Sequence, residues 1–310
     1  MRKSETMALL EKSEMEVPLH EPLGERVGTE RRRWDRLWYE LKRSRMALPG
    51  AVVVLSFVLM ALFAPLIAPY DPFQNNLSQT LLRPSTKHLL GTDELGRDIL
   101  SRILYGARIS ILEGLVSVLL AMVIGVPMGV ISGYLGGKVD AVMMRLIDIL
   151  LAFPGVLLAV AIISILGPSL TNAMISVGIY TVPIFARLAR GSTLSVKEEP
   201  FIEACRAIGI SHVQILYRHI FPNISAHLFV MATLRVGISI LTASSLSFLG
   251  LGAQPPSPEW GAMLSNGRNY LLVAPHLVIF PGLAIILLVL GINLLQDGLR
   301  LALDPKLRGR

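Results

Sequence analysis

A single cysteine, Cys205, stands in a chain of 310 residues. That scarcity excludes an intramolecular disulfide and a metal site built from cysteines. Charge is scarce as well: 16% of the residues are Asp, Glu, Lys or Arg against 53% hydrophobic, a balance far from that of a soluble globular domain. Residues 46–70, 114–137, 149–186, 236–258 and 269–296 are runs of 25, 24, 38, 23 and 28 residues with no Asp, Glu, Lys or Arg. A phosphate-binding loop is missing too. The nearest sequence, Ser132 to Val139, lacks the first glycine and the hydroxyl residue after Lys138. His20, His88, His212, His219, His227 and His276 show no metal-ligand spacing within one element and read as separate structural or surface residues.

An α-helix rises ~1.5 Å per residue, so a hydrocarbon core of ~30 Å needs about 20 residues. Each uncharged run is long enough to cross once, and the longest holds most of two crossings, reversed at Gly167-Pro168-Ser169-Leu170-Thr171-Asn172. The expected spans are 46–68, 110–133, 142–166, 170–187, 226–249 and 276–296, which makes an all-α, polytopic membrane protein of six helices. Pro127, Pro154, Pro183 and Pro281 fall inside four of them and are expected to bend them. The first span follows 45 largely polar residues and exceeds the apolar core of a cleaved signal, so it reads as an anchor.

Seven Lys and Arg in residues 30–45, with Arg300, Lys306, Arg308 and Arg310 at the other end, place both termini in the cytoplasm. This parity puts residues 188–225, Cys205 included, inside the cell, and residues 69–109 and 250–275 outside. Arg83, Lys87, Arg97, Arg102 and Arg108 in the outer loop run against the rule, but Asp71, Asp93, Glu94 and Asp98 nearly balance them. The net charge of +7 follows from the positive-inside pattern and does not point to nucleic acid.

Arg235 is the charge placed deep in the membrane, and Ser239, Thr242 and Ser245 follow it at spacings of four, three and three along one helix face. An arginine at mid-bilayer costs roughly 2.5 to 3.5 kcal/mol, so this stripe should face protein or water. It reads either as the lining of a translocation path or as interhelical hydrogen-bond glue. Arg145 and Asp148, three residues apart near the end of the third span, are expected to pair with each other. Asp148 then reads as a structural charge and not as a proton carrier, and Glu113 as interfacial.

Between two long apolar runs lies a charged island, "EEPFIEACRAIGISHVQILYRHIFPNI", residues 198–224. Pro200 behind Glu198 and Glu199 suits the first turn of a helix. Phe201, Ala204, Cys205 and Ile208 recur at helical spacing, with Glu203 and Arg206 on the other side, and Gly209 is the stop. Ser211 and Gln214 form a capping box for a second helix, expected to end before Pro222. Such a pair either docks on a partner or lies on the bilayer surface.

The order Glu203-Ala204-Cys205, then Gly209, then His219-Ile220-Phe221-Pro222 resembles the EAA loop of permease subunits from bacterial ATP-binding-cassette importers. It departs from the family form at Cys205, His219 and Phe221. Three more stretches, "LGTDELGRDILSRILYGARISI" at 90–111, "SLSFLGLGAQPPSPEWGAML" at 245–264 and "DGLRLALDPKLRG" at 297–309, look like the second permease subunit of dipeptide, oligopeptide, nickel and glutathione importers. The resemblance covers about residue 36 onward.

The resemblance implies a type I importer permease fold in the bacterial inner membrane, with no catalysis in this chain. In such importers the EAA loop is a coupling helix seated in a groove of the ATP-binding subunit. Phe201, Glu203, Ala204, Arg206, Gly209, Ile220 and Pro222 would then form the coupling loop. Implied partners are a homologous second permease, two ATPase subunits that use ATP-Mg, an extracytoplasmic substrate-binding protein and membrane lipid, with no nucleic acid. No cofactor or metal is expected on this chain. The implied layout is a cytoplasmic tail at 1–45, a first helix at 46–68, an extracytoplasmic loop with an amphipathic segment at 69–109, a five-helix core at 110–296 containing the loop 188–225, and a tail at 297–310. An ion-coupled secondary carrier is the alternative, disfavoured because Asp148 and Glu113 are the sole membrane carboxylates and no inverted repeat is visible.

Overall fold

The computed structural model describes residues 46–303. The segments 1–45 and 304–310, with the basic cluster of residues 30–45 and the end of the tail, lie outside the described residues. The chain runs through α1 (Ala47–Ile67), α2 (Ile99–Leu135), α3 (Gly137–Leu151), α4 (Gly155–Leu166), α5 (Leu170–Lys197), α6 (Pro200–Ala207), α7 (His212–Ile215), α8 (Phe221–Phe248), α9 (Trp260–Gly267) and α10 (His276–Leu303). Among the described residues every regular element is helical.

Five helices are long and apolar enough to cross a membrane: α1, α2, α5, the continuous run His212–Phe248, and α10. The third expected span, 142–166, is not one straight helix. α3 and α4 meet at 87° and count as a sixth crossing only as a bent pair. The cause is Pro154, which stands before α4 with φ −56° and ψ 127° instead of inside a helix. It has no N–H to continue the α3 ladder, so α3 stops at Leu151. Pro127, Pro183 and Pro281 do lie within α2, α5 and α10, and Pro65 lies within α1.

α2 and α5 form the closest pairing in the bundle. Gly125, Gly129 and Gly133 recur every fourth residue on the face of α2 that meets α5. A Cβ at Gly125 would stand 2.6 Å from the Val182 carbonyl oxygen, and one at Gly133 2.9 Å from that of Arg190. At Gly129 it would collide with the Ala186 carbonyl oxygen and lie 2.8 Å from the Ala189 Cβ. Small residues at this spacing let two backbones touch, which gives the van der Waals contact that holds helices together where lipid competes for apolar surface.

α2 begins at Ile99, eleven residues before the expected span, because Asp98 caps it: its carboxylate accepts from the Ser101 N–H at 2.8 Å. The charges around this start are buried and paired. Arg97 donates to Asp93 at 2.6 Å, and Arg102, 2% exposed, donates to the carbonyl oxygens of Pro72 at 3.0 Å and Ser257 at 3.2 Å. Of the arginines that run against the positive-inside count, Arg102 thus ties the loop 69–98 to the segment before α9, and Arg97 pairs within that loop. Glu259 caps α9 through the N–H groups of Gly261 and Ala262, both at 2.7 Å, and accepts from Ser244 at 3.1 Å. Burial pushes the Glu259 carboxyl up, against these donors, which pull it down. Glu113 is fully buried within α2.

Candidate functional site

The island folds as two helices with a break, and the break has a defined geometry. α6 starts on Pro200 at its first turn and ends in a left-handed residue, Gly209, with φ +77°. The Gly209 N–H donates to the Arg206 carbonyl and the Ile210 N–H to that of Cys205, both at 3.0 Å, so the orphan carbonyls at the end of α6 are satisfied from beyond it. The Ser211 hydroxyl then caps α7 by accepting from the Gln214 N–H at 3.4 Å.

α7 does not stop before Pro222. A π turn, Leu216–Ile220, joins it to α8, and the Phe221 N–H reaches back five residues to the Leu216 carbonyl. Pro222 has no N–H for the Arg218 carbonyl and its ring would crowd it, and the wider turn relieves that conflict without ending the helix.

The pair has two faces. Ile202, Ile215 and Ile220 are fully buried and Cys205 nearly so, in one cluster with Tyr134, Ile147, Val182 and Phe185 of α2, α3 and α5. Ile202, not Phe201, anchors α6, because the face toward α2 and α3 is one residue round from the stripe read off the sequence. Phe201 and Ile208 are exposed, along with Val213 and Tyr217, each 75% exposed. Glu203, Ala204, Arg206, Gly209 and Pro222 are exposed as well, whereas Ile220 belongs to the core. Val213 and Tyr217 lie outside the expected coupling residues, yet their spacing of four marks one helix face.

The polar stripe of α8 divides. Thr242 accepts from the Tyr180 hydroxyl of α5 at 3.1 Å, which is interhelical glue, and Ser245 is exposed with its hydroxyl donated to the Leu241 carbonyl at 2.7 Å. The Nε of Arg235 and the Oγ of Ser239 are buried with no hydrogen-bond partner among the described residues. Asp148 pairs across the bundle with Arg187 of α5 at 2.8 Å and not with Arg145, since α3 turns that carboxylate toward α5. A second bridge, Asp140 to Arg190 at 2.6 Å, ties the start of α3 to α5, with Ser132 as a further donor to Asp140.

A helical bundle with five helices long and apolar enough to cross a membrane, and a surface helix pair rooted in its core with an exposed apolar face, defines a polytopic membrane component. The chain belongs to the family described as "binding-protein-dependent transport system inner membrane component", matched over residues 125–309, and residues 32–84 match the N-terminal TM domain of oligopeptide transport permease C. It is 48% identical over 275 residues to the dipeptide transport system permease protein DppC of Alkalihalophilus pseudofirmus, covering 89% of this chain and 90% of that one. It is 48% identical over 277 residues to the glutathione transport system permease protein GsiD of Pectobacterium atrosepticum, covering 89% and 92%. Among solved structures, an inward-facing methionine ABC transporter, MetNI, matches with a TM-score of 0.54 at 21% identity, covering 66% of this chain and 98% of that one, a likeness of fold. The protein is a multi-pass inner-membrane permease of the importer class, and the ion-coupled carrier reading is set aside.

Proposed function

We propose that this chain forms half of a translocation path for peptides or a related small solute, with glutathione and nickel also within range, and that residues 198–224 couple it to an ATPase. The observation that carries the reading is the two-faced helix pair, with Ile202, Cys205, Ile215 and Ile220 in the core and Phe201, Ile208, Val213 and Tyr217 left uncovered. A surface helix that only rested on the bilayer would not need to be rooted in the bundle. Glu203 and Arg206 supply the charges and Phe201 and Ile208 the apolar contacts to the ATP-binding subunit, while Gly209 sets the angle between the helices.

The other half of the path is a homologous permease, fed by an extracytoplasmic binding protein, and two partner ATPases hydrolyse ATP-Mg. Both termini and the helix pair lie in the cytoplasm, with residues 69–98 and the segment before α9 outside. Arg235, beside Ser239, is the contribution of α8 to the path and suits a carboxylate-bearing solute. Ser245, exposed, continues that wall, and Thr242 holds α8 to α5 behind it.

Glu203→Lys tests the coupling. Purification of the tagged chain from its native membrane in mild detergent, with mass spectrometry of the co-eluting proteins, should recover two ATP-binding subunits and a second permease with the wild type. The variant should keep the second permease and lose the ATPases. Equal recovery of ATPases by both chains would remove Glu203 from the interface, and a wild-type chain that elutes alone would overturn the whole reading.

A further inference from the structure

We propose that Tyr134 is a positioning residue, a side chain of α2 that both helices of the coupling pair grip, and that it passes their movement to the membrane bundle. The proposal rests on the coupling role of residues 198–224. Tyr134 is the penultimate residue of α2 and is 4% exposed. Its hydroxyl lies 2.8 Å from Nδ1 of His212, the first residue of α7, and the two rings meet edge to face at 5.6 Å. The guanidinium of Arg206, from α6, stands 5.5 Å from the centroid of the same ring. One aromatic ring therefore touches α6 on one side of the Gly209 break and α7 on the other. A change in the angle between the two helices cannot leave it in place.

What lies behind Tyr134 is rigid. Two residues earlier Ser132 donates to Asp140, which holds Arg190 of α5 through both of its oxygens at 2.6 Å. Gly133, directly before Tyr134, is the end of the glycine face of α2, packed backbone to backbone on α5. The end of α2, the start of α3 and the middle of α5 thus form one body, and Tyr134 is its polar handle. The apolar contacts of Ile202 and Ile215 hold the pair on the bundle, but they are non-directional and tolerate sliding. The hydroxyl to imidazole bond and the cation over the ring fix direction.

The test uses the complete importer, with both permeases, the ATPases and the binding protein, in proteoliposomes. Radiolabelled dialanine and glutathione serve as the two uptake probes, and ATP hydrolysis is read in parallel. Tyr134→Phe keeps the ring and the Arg206 contact and removes only the bond to His212. It should assemble with ATPases at the wild-type ratio and hydrolyse ATP, while uptake per ATP falls roughly fivefold, the worth of one buried hydrogen bond. His212→Leu should match that loss, and His212→Asn, whose amide can occupy the place of Nδ1, should restore most of it.

Wild-type uptake per ATP in Tyr134→Phe would overturn the positioning role. So would loss of assembly in that variant, which would make Tyr134 a packing residue, or equal loss in His212→Asn and His212→Leu. Failure of the wild-type chain to recruit ATPases would instead overturn the coupling reading beneath it.

Discussion

Gly129→Leu should leave almost no folded permease in the membrane. The first added carbon meets the Ala186 carbonyl oxygen, the Ala189 Cβ at 2.8 Å and the Arg190 nitrogen at 2.9 Å, and two of these three are backbone atoms that no rotamer change can move. α2 must then back away from α5 along the length of their contact. Forced overpacking typically costs 1 to 3 kcal/mol where side chains can adjust, and about 3 kcal/mol or more is expected here, enough to unfold a marginal membrane domain. Gly191→Leu is the control. No atom stands within 4 Å of a Cβ at Gly191, in α5, so the same substitution there should leave yield and elution profile at the wild-type level. Membrane yield and size-exclusion profile in detergent read both, and a monodisperse Gly129→Leu permease would show that the two helices do not depend on close backbone approach.

Gly209→Val should act in the opposite way, sparing the fold and removing transport. Gly209 has φ +77°, a conformation that costs an L-residue roughly 1 to 2 kcal/mol and a β-branched one more. A Cβ there meets nothing within 4 Å, so the cost is backbone strain and not a clash. The chain escapes it by abandoning the left-handed turn, which breaks the bonds from Gly209 to Arg206 and from Ile210 to Cys205 and changes the angle between α6 and α7. No span is involved, so membrane yield should hold while uptake falls at least about tenfold, the equivalent of 1.4 kcal/mol. Gly209→Asn, which enters the left-handed region more easily, should retain much of the activity. Uptake by Gly209→Val at the wild-type rate, with equal protein, would separate the turn from coupling.

Both residues were visible as letters, but only one could be interpreted. Gly209 announces itself locally, because a helical stripe ends just before it and a Ser-x-x-Gln cap begins just after. Gly125, Gly129 and Gly133 share a spacing of four, yet nothing in the string names Val182, Ala186 and Arg190 as the backbone they approach. Charge-free runs likewise located the membrane helices, since desolvation acts on each segment by itself. They could not give the size of a bend, so Pro154 announces a bent third span in the sequence but not a turn of 87°. The start of α2 was misplaced for a related reason. Arg102 looks like a loop charge until the carbonyls of Pro72 and Ser257, from distant parts of the chain, are brought to it. The choice of Ile202 over Phe201 is decided in the same way, by which neighbour each face meets.

The π turn before Pro222 makes length, and not only lettering, a constraint on this segment. Each residue of an α-helix advances ~100° around the axis, so one extra residue in a turn resets the phase of everything before it. Ile215 and Ile220 face the core although they are five apart, while Ile220, Ile224 and Leu228 follow at the ordinary four. An in-frame insertion of one alanine after Tyr217 would leave hydropathy and membrane crossing intact. It would nevertheless rotate α7 by more than a quarter turn against α8, carrying Ile215 away from the bundle, and uptake should be lost with normal membrane yield. Inheritance can therefore vary the residues here more freely than their number.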